Sequence, residues 1–168
     1  TDHHTITNPI PEALAVVNPK RTDCPSGTGN LAGVGVAFFL IICLRKYLRD
    51  RGFWTSRNEP NLKNACDLVA LGTIADMVPL TDDNRIFVKG GIDLINSAPR
   101  PGIQSLIEIS GIQRHFLNSE DIAFKLAPRL NAAGRMAHAK TAAHLLQTRD
   151  NQKALKLAET LNALNCER

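Results

Sequence analysis

Apolar residues recur at helical spacing along most of the chain. From Val34 to Arg51 they fall on one face of a helix, arginines and lysines occupy the other face, and a glycine follows. A second helix is predicted to begin near Asn61 or the next residue and to run toward Met77, because Pro79 prevents its continuation. The pattern therefore predicts two well-defined helices in the first half of the chain.

The second half contains further helical patterns. "RIFVKGGIDLINS" follows a "TDDN" turn, and "PGIQSLIEISG" has a proline in its first turn and Gly111 as its stop. Ser119 is predicted to cap "EDIAFKLA", which Pro128 interrupts. The last two helices, "AKTAAHLLQT" and "NQKALKLAETLNALNCER", meet at Arg149 and Asp150, and Asp150 is a favourable N-cap.

A short apolar run near the start predicts a strand. Ala13 to Val17 contains adjacent valines and is stopped by Asn18 and Pro19, which is typical of a buried strand. One or two strands stand against six or seven predicted helices, and a lone strand cannot form a stable sheet. We therefore expect a helix-rich chain, incomplete at both ends, whose strand would pair with strands from elsewhere.

Composition places the chain among globular proteins. It has 168 residues, of which 43% are hydrophobic and 21% charged. The apolar run from Leu31 to Leu44 is about 14 residues, short of the roughly 20 that span a membrane, and no signal peptide is evident. Four scattered cysteines fit reduced thiols better than disulfides or a zinc site. These features predict a cytoplasmic protein without a membrane segment.

The net charge gives a weak indication of a partner. The formal charge is +4 and the isoelectric point is near 9.0, which favours acidic partners such as nucleic acid. Many basic proteins bind no nucleic acid, so the charge does not decide the function.

The opening "TDHHTI" contains residues able to hold a metal or move a proton. Consecutive side chains of an extended segment point to opposite sides, so His3 and His4 are expected to differ in role, while Asp2 and His4 share a face. One imidazole can hold a metal while the other faces a substrate, and the carboxylate can fix a histidine tautomer. Two solvent-exposed histidines without a ligand are an equally good interpretation at this point.

Two aspartates lie in "DLVALGTIADMVPL". Nine residues of continuous helix rotate through roughly 900°, which places Asp67 and Asp76 on opposite faces. The neighbours of Asp76 in sequence are apolar, so its carboxylate needs a cation, a donor or solvent. We favour Asp76 as a ligand and Asp67 as a structural residue near a helix start.

The segment "APRLNAAGR" offers Arg129, Asn131 and Arg135 around small residues. Guanidinium groups bind phosphate oxygens in pairs, and the small residues let a backbone approach. From spacing alone, arginines that contact carboxylates elsewhere at a helix break are the more favoured interpretation.

The remaining candidates carry less weight. Gly33 and Gly35 in "LAGVGVAFF" match half of a dinucleotide-binding pattern, but close packing or a tight turn explains them at least as well. His115, His138 and His144 have no ligand spacing, so we expect them to be solvated or part of the core.

Six motifs in order, "TDHH", "VVNPKRTDCP", "LAGVGVAFFL", "DLVALGTIADMVPL", "RPGIQSLIE" and "PRLNAAGR", resemble the single-stranded-DNA-specific exonucleases of the DHH phosphoesterase superfamily. The likeness extends over essentially the whole chain. The superfamily takes its name from the triplet that Asp2, His3 and His4 form here.

The resemblance implies a fold and a reaction. It implies an α/β fold, with the helix-rich C-terminal part of a DHH-type parallel-sheet domain at residues 1–150, incomplete at both ends, and the start of a connector helix to a second domain at residues 151–168. It implies a two-metal site with Mn²⁺ or Mg²⁺ and 5′ to 3′ hydrolysis of single-stranded DNA, by a cytoplasmic monomer that acts in DNA repair and recombination.

The resemblance also implies roles for individual residues. His3 and Asp76 resemble metal ligands, and His4 resembles the histidine that contacts the scissile phosphate, with Asp2 as its supporting carboxylate. Three further residues resemble the segment that faces nucleic acid: Arg129, Asn131 and Arg135. The acidic motifs that the family carries upstream of the triplet are not in this chain, so we expect weak metal binding and inefficient hydrolysis from it alone.

Three other interpretations stay open. Relatives in the superfamily hydrolyse pyrophosphate, short oligonucleotides or cyclic dinucleotides with the same type of site. The chain also fits a module that binds nucleic acid without cutting it, or a stable structural piece with no activity.

Overall fold

The structure is a computed structural model that describes residues 1–6, 10–113, 116–136 and 139–167, with the backbone alone for Arg135 and Met136. The chain divides into two compact units, Thr1–Gly90 and Gly91–Arg168, and each is described by itself. Within the described ranges the regular structure is helical, which confirms the prediction of a helix-rich chain.

The first unit is built around two helices. Helix α1 spans Gly33–Asp50, and α2 spans Cys66–Ala75 after a 3₁₀ turn at Leu62–Ala65; α3, Asp82–Ser97, begins in this unit. Both the predicted helix from Val34 and the predicted helix near Asn61 are therefore confirmed. The 3₁₀ turn carries the start of the second one, because the Asn61 side chain accepts a hydrogen bond from the Lys63 N–H.

Helices α1 and α2 approach closely because α2 carries a glycine at their contact. A Cβ added to Gly72 would lie 2.9 Å from Cγ1 of Val34 in α1. Buried apolar side chains around the contact form the core of this unit, and include Val36, Phe38, Val69 and Ile74. The contact fixes α2, and with it the residue at its end, against α1.

Helix α2 ends one or two residues before the predicted stop. Asp76 is its C-cap residue, and its N–H bonds the carbonyl of Gly72. Met77 follows with φ of +57°, a left-handed conformation that turns the chain away before Pro79.

The predicted strand at Ala13–Val17 is not found. These residues carry no strand assignment, and the side chain of Leu14 is fully exposed. The described residues offer no neighbouring strand with which this stretch could pair. A backbone hydrogen bond from the Asp2 N–H to the Val17 carbonyl, at 3.0 Å, connects its end to the N-terminal segment.

The second unit packs four helices around small and aliphatic side chains. They are α4 (Pro101–Ile109), α6 (Ala127–Met136), α7 (Lys140–Gln147) and α8 (Asn151–Cys166). Ile103, Leu106, Leu145 and Leu161 are fully buried between them. Gly111, with φ of +65°, follows α4 as the predicted stop.

Two details before α6 differ from prediction. Asn118, and not Ser119, caps the short helix α5 (Ser119–Asp121), because Asn118 and Asp121 form a reciprocal capping box. Pro128 does not interrupt the helix. A π-helical turn at Ile122–Leu126 precedes it, and this wider turn leads directly into α6 without the clash that a proline ring makes in a regular α-helix.

The last helix belongs to the core of the second unit. Asp150 caps α8 as predicted, with Oδ1 accepting bonds from the N–H groups of Gln152 and Lys153. Ala154, Ala158 and Leu161 of α8 are fully buried. The boundary at residue 150 and the role of residues 151–168 as a connector stay predictions.

Candidate metal centre

The N-terminal segment and the end of α2 bring one histidine and one aspartate together. Nε2 of His3 lies 3.3 Å from Oδ2 of Asp76. The His3 side chain is 14% exposed and the Asp76 side chain 35% exposed, so the pair sits at a partly covered surface. Both residues were predicted as ligands, and the fold places them side by side.

Hydrogen bonds to the backbone fix the segment that carries His3. The side-chain amide of the buried Asn18 donates to the His4 carbonyl at 2.9 Å, and its Oδ1 accepts from the Lys20 N–H at 2.9 Å. The Asp2 N–H donates to the Val17 carbonyl. The sequence pattern indicates Asn18 only as the end of a strand, although an asparagine before proline is a recurrent turn residue that bonds the backbone.

The His3 ring rests on the first residue of α1. A Cβ added to Gly33 would lie 3.1 Å from Cδ2 and 3.6 Å from Nε2 of His3. The close packing predicted for this glycine is confirmed, and the group packed against it is the imidazole of the candidate ligand.

His4 pairs with Asp2. Nδ1 of His4 lies 2.8 Å from Oδ1 of Asp2, and this hydrogen bond lowers the pKa of Asp2 to about 2. With Nδ1 bonded to a carboxylate, the proton is held on Nδ1 and the lone pair of the neutral ring is on Nε2. The His4 side chain is 75% exposed. The predicted sharing of a face by Asp2 and His4 is confirmed.

The two histidine rings are neighbours, in contrast to the prediction that they point to opposite sides. Their centroids are 4.4 Å apart at an angle of 47°. The chain bends at His4, so the alternation of a regular strand does not apply here. The rings still have different partners, His3 with Asp76 and His4 with Asp2.

The donor set fits a hard or borderline divalent cation. Ligand atoms of Asp2, His3 and His4 lie within 4.8 Å of one another. Neighbouring ligands of an octahedral ion at about 2.1 Å are about 3 Å apart, close to the separation of His3 Nε2 and Asp76 Oδ2. Imidazole nitrogen with carboxylate oxygen suits Mn²⁺, and the carboxylates also suit Mg²⁺.

Asp67 lies away from this centre. It belongs to the first turn of α2, whereas Asp76 ends that helix, so the helix length separates them. Its side chain is buried, and Oδ1 accepts a bond from the Leu68 N–H. The prediction that the two aspartates do not share a site is confirmed.

The predicted phosphate-binding residues lie on α6 of the second unit. Nε of Arg129 donates to Oδ1 of Asn162 at 2.9 Å, and Nη1 donates to the Lys125 carbonyl at 2.6 Å. Asn131 is exposed, and the side chain of Arg135 lies outside the described residues. The role of these three residues toward nucleic acid stays a prediction.

The other histidines have no place in the centre. His144 is exposed on α7, as expected for a solvated histidine. His115 and His138 lie outside the described residues.

Comparison with known proteins identifies the relatives of the chain. A single-stranded-DNA-specific exonuclease RecJ from Salmonella typhimurium is 46% identical over 168 residues, which cover 98% of this chain and 29% of that protein. The protein of the same name from Thermus thermophilus is 39% identical over the whole chain and 23% of its own length. Over its whole length, the chain is homologous to RecJ. No family model matches it.

Solved RecJ structures share the fold. A crystal structure of exonuclease RecJ bound to manganese matches with a TM-score of 0.81 and 36% identity, over 99% of this chain and 40% of that one. The Thermus thermophilus RecJ in complex with Mn²⁺ matches with a TM-score of 0.79 and 35% identity, over 99% of this chain and 23% of that one. The predicted fold class agrees with this likeness.

The chain matches only part of each RecJ protein. The chain spans less than a third of the length of the curated RecJ proteins described above. Among the described residues, no helix has the length and apolar character needed to cross a membrane.

Proposed function

We propose that this chain forms part of the metal and phosphate centre of a RecJ-type exonuclease that hydrolyses single-stranded DNA from the 5′ end. The observation that carries the proposal is the 3.3 Å approach of His3 Nε2 to Asp76 Oδ2. Support comes from relatives named single-stranded-DNA-specific exonuclease and from RecJ structures bound to manganese or magnesium.

His3 and Asp76 would hold a divalent cation. Such an ion neutralises charge on the phosphate and acts as a Lewis acid. The His3 nitrogen and the Asp76 oxygen supply two ligands, whereas a hard cation takes six or more. We therefore propose that carboxylates from the rest of a longer enzyme complete the coordination of the ion. We expect His3 and Asp76 alone to bind the cation weakly.

His4 would act on the phosphate. Its Nδ1 is bonded to Asp2, so the exposed Nε2 is the position at which a proton can be taken up or donated. Once protonated there, the ring donates to a phosphate oxygen, and the Asp2 carboxylate stabilises the imidazolium. Because the low pKa of Asp2 keeps that carboxylate ionised, this support persists through the neutral range.

Residues of α6 would contact the sugar–phosphate backbone. Arg129 makes one bond through Nε and one through Nη1 within the unit, so three of its five N–H donors, two on Nη2 and one on Nη1, take no part in those bonds. The exposed Asn131 adds an amide, and Arg135 adds a second guanidinium to the same helix. Contacts to phosphate make the affinity for DNA fall steeply as salt rises.

The wider assignment follows from the substrate. We propose a role in DNA repair and recombination, carried out by a monomer in the cytoplasm. The support for the compartment is chemical: the cysteines within the described residues are free thiols, as is usual in a reducing compartment.

The test of the proposal is substrate profiling of the complete enzyme. We expect Mn²⁺-dependent release of nucleotides from the 5′ end of single-stranded DNA, and loss of that activity in His3→Ala and Asp76→Asn. Preference for pyrophosphate, a cyclic dinucleotide or a short oligonucleotide would assign a different reaction to the same centre. DNA binding that survives chelator and both substitutions, without cleavage, would indicate a binding module.

A further inference from the structure

We propose that Gly33 and Asn18 are positioning residues that hold the His3 imidazole at Asp76. The inference rests on the proposed function for its metal, but the geometry on which it stands is independent of any ion. Helix α1 serves as the common support for both members of the pair.

Consecutive residues of α1 contact both halves of the site. Gly33 lies under the His3 ring, in a contact so close that a methyl group on residue 33 would displace the ring by a few tenths of an ångström. Val34, the next residue, packs against Gly72 of α2. A Cβ added to Gly72 would lie only 2.9 Å from Cγ1 of Val34. The same turn of α1 therefore sets the position of His3 on one side and of the helix ending at Asp76 on the other.

Asn18 fixes the backbone from which His3 projects. The side chain is 6% exposed, and both of its polar ends are used, Nδ2 on the His4 carbonyl and Oδ1 on the Lys20 N–H. The amide thus ties the residue after His3 to the loop that follows Val17. A second bond, from the Asp2 N–H to the Val17 carbonyl, ties the residue before it. The backbone is therefore held on both sides of His3. The close contact with Gly33 then limits the side-chain torsion angles that His3 can adopt.

The distance between His3 and Asp76 explains why the position of the His3 ring matters for metal binding. Nε2 and Oδ2 at 3.3 Å are spaced as neighbouring ligands, with little tolerance before one ion no longer contacts both. A methyl group on residue 33 would lie 3.1 Å from Cδ2 of the ring, so the ring must shift by a few tenths of an ångström. Loss of groups that orient ligands typically weakens metal binding by about 10- to 100-fold.

Two substitutions and two matched controls test the proposal. Gly33→Ala adds the methyl group under the ring, whereas Gly90→Ala adds it in α3, where a Cβ meets nothing within 4 Å. Asn18→Ser keeps a hydroxyl able to accept from the Lys20 N–H but too short to reach His4. Asn61→Ser makes the same change at an asparagine whose Oδ1 also accepts from the N–H two residues later. None of the four changes the charge.

The first readout is Mn²⁺ affinity, measured by electron paramagnetic resonance of the free ion. We expect Gly33→Ala and Asn18→Ser to bind about tenfold more weakly than the unsubstituted chain, and the controls to stay within about twofold. The second readout is the nuclear Overhauser effect between the His3 ring and Gly33 Hα in metal-free protein. We expect it in the unsubstituted chain and in Asn61→Ser, but not in Asn18→Ser.

The two readouts separate this inference from the proposed function. Equal Mn²⁺ affinity of the test and control variants would overturn the positioning role while leaving the metal assignment intact. If the unsubstituted chain binds no Mn²⁺, the metal assignment fails, and the Overhauser effect alone decides. Its persistence in Asn18→Ser, or its absence from the unsubstituted chain, would contradict the inference.

Discussion

His3 and Asp76, far apart in sequence, meet with 3.3 Å between Nε2 and Oδ2. His3 belongs to a segment held by backbone hydrogen bonds and Asp76 to the C-cap of α2, so neither position depends on the other. The sequence indicates each residue as a ligand by its chemistry and neighbours. The packing of α2 on α1, together with the bonds that hold the His3 segment, brings the two atoms together.

Gly102→Ala is expected to destabilise the second unit strongly. A Cβ at this position would lie 2.1 Å from the Leu145 carbonyl oxygen, so α4 and α7 must move apart. Overpacking of this kind costs about 1–3 kcal/mol, and more when backbone has to move. Gly134→Ala in α6 is the control, because a Cβ there meets nothing within 4 Å and alanine favours the helix by up to about 1 kcal/mol. Chemical denaturation measures the stability of both variants. Equal denaturation midpoints for Gly102→Ala and Gly134→Ala would show that α4 and α7 do not approach this closely.

Arg129→Ala is expected to lower stability as well as any affinity for DNA. The substitution removes the donors to Asn162 Oδ1 and to the Lys125 carbonyl, at a cost of about 1–3 kcal/mol. Combination with Asn162→Ala should give a loss smaller than the sum, because the two residues share one bond. Denaturation of the two single variants and the double variant measures this coupling. Strict additivity would mean that the bond from Arg129 to Asn162 does not stabilise the packing of α6 on α8.

Cys24 and Cys66 are expected to differ in reactivity. A hydrogen bond with the Ser26 hydroxyl lowers the pKa of the Cys24 thiol, whereas burial raises the pKa of the Cys66 thiol. Because the thiolate is the reactive form, Cys24 should be alkylated faster at neutral pH, and its rate should reach a plateau at lower pH. Iodoacetamide modification in a Cys43→Ser, Cys166→Ser background measures both profiles. Ser26→Ala should raise the Cys24 midpoint and leave Cys66 unchanged; a shift of both would point to a wider structural change.

Local signals predicted the helices well. The helical spacing of α1 and the cap at Asp150 are properties of short stretches, and both elements are found in the structure. Three residues of the apolar face predicted for α1 are nevertheless exposed: Leu40, Leu44 and Tyr47. The expected break at Pro128 is absent, because a wider π-helical turn at Ile122–Leu126 comes before the proline. The strand predicted at Ala13–Val17 is absent for a different reason. A strand needs neighbouring strands to pair with, and its own residues do not specify them.

Sequence patterns indicated the two residues of the candidate centre, but not the residues that hold them in place. Asp76 stood out as a carboxylate among apolar neighbours, and the His3–His4 pair as adjacent imidazoles. Asn18 was missed because its importance lies in a bond to His4, a residue distant in sequence that no spacing rule connects to it. Gly33 was noted for packing, yet its neighbour, His3, is visible only in three dimensions.

Mn²⁺ titration followed by electron paramagnetic resonance measures divalent-metal binding at His3 and Asp76, on which the proposed function depends. We expect the unsubstituted chain to bind Mn²⁺ weakly, and Asp76→Asn and His3→Ala each to weaken it at least about tenfold. Asp67→Asn is the control at the other end of α2. Affinity that is unchanged in both ligand variants, or lost equally in Asp67→Asn with the fold intact, would show that His3 and Asp76 do not hold the ion.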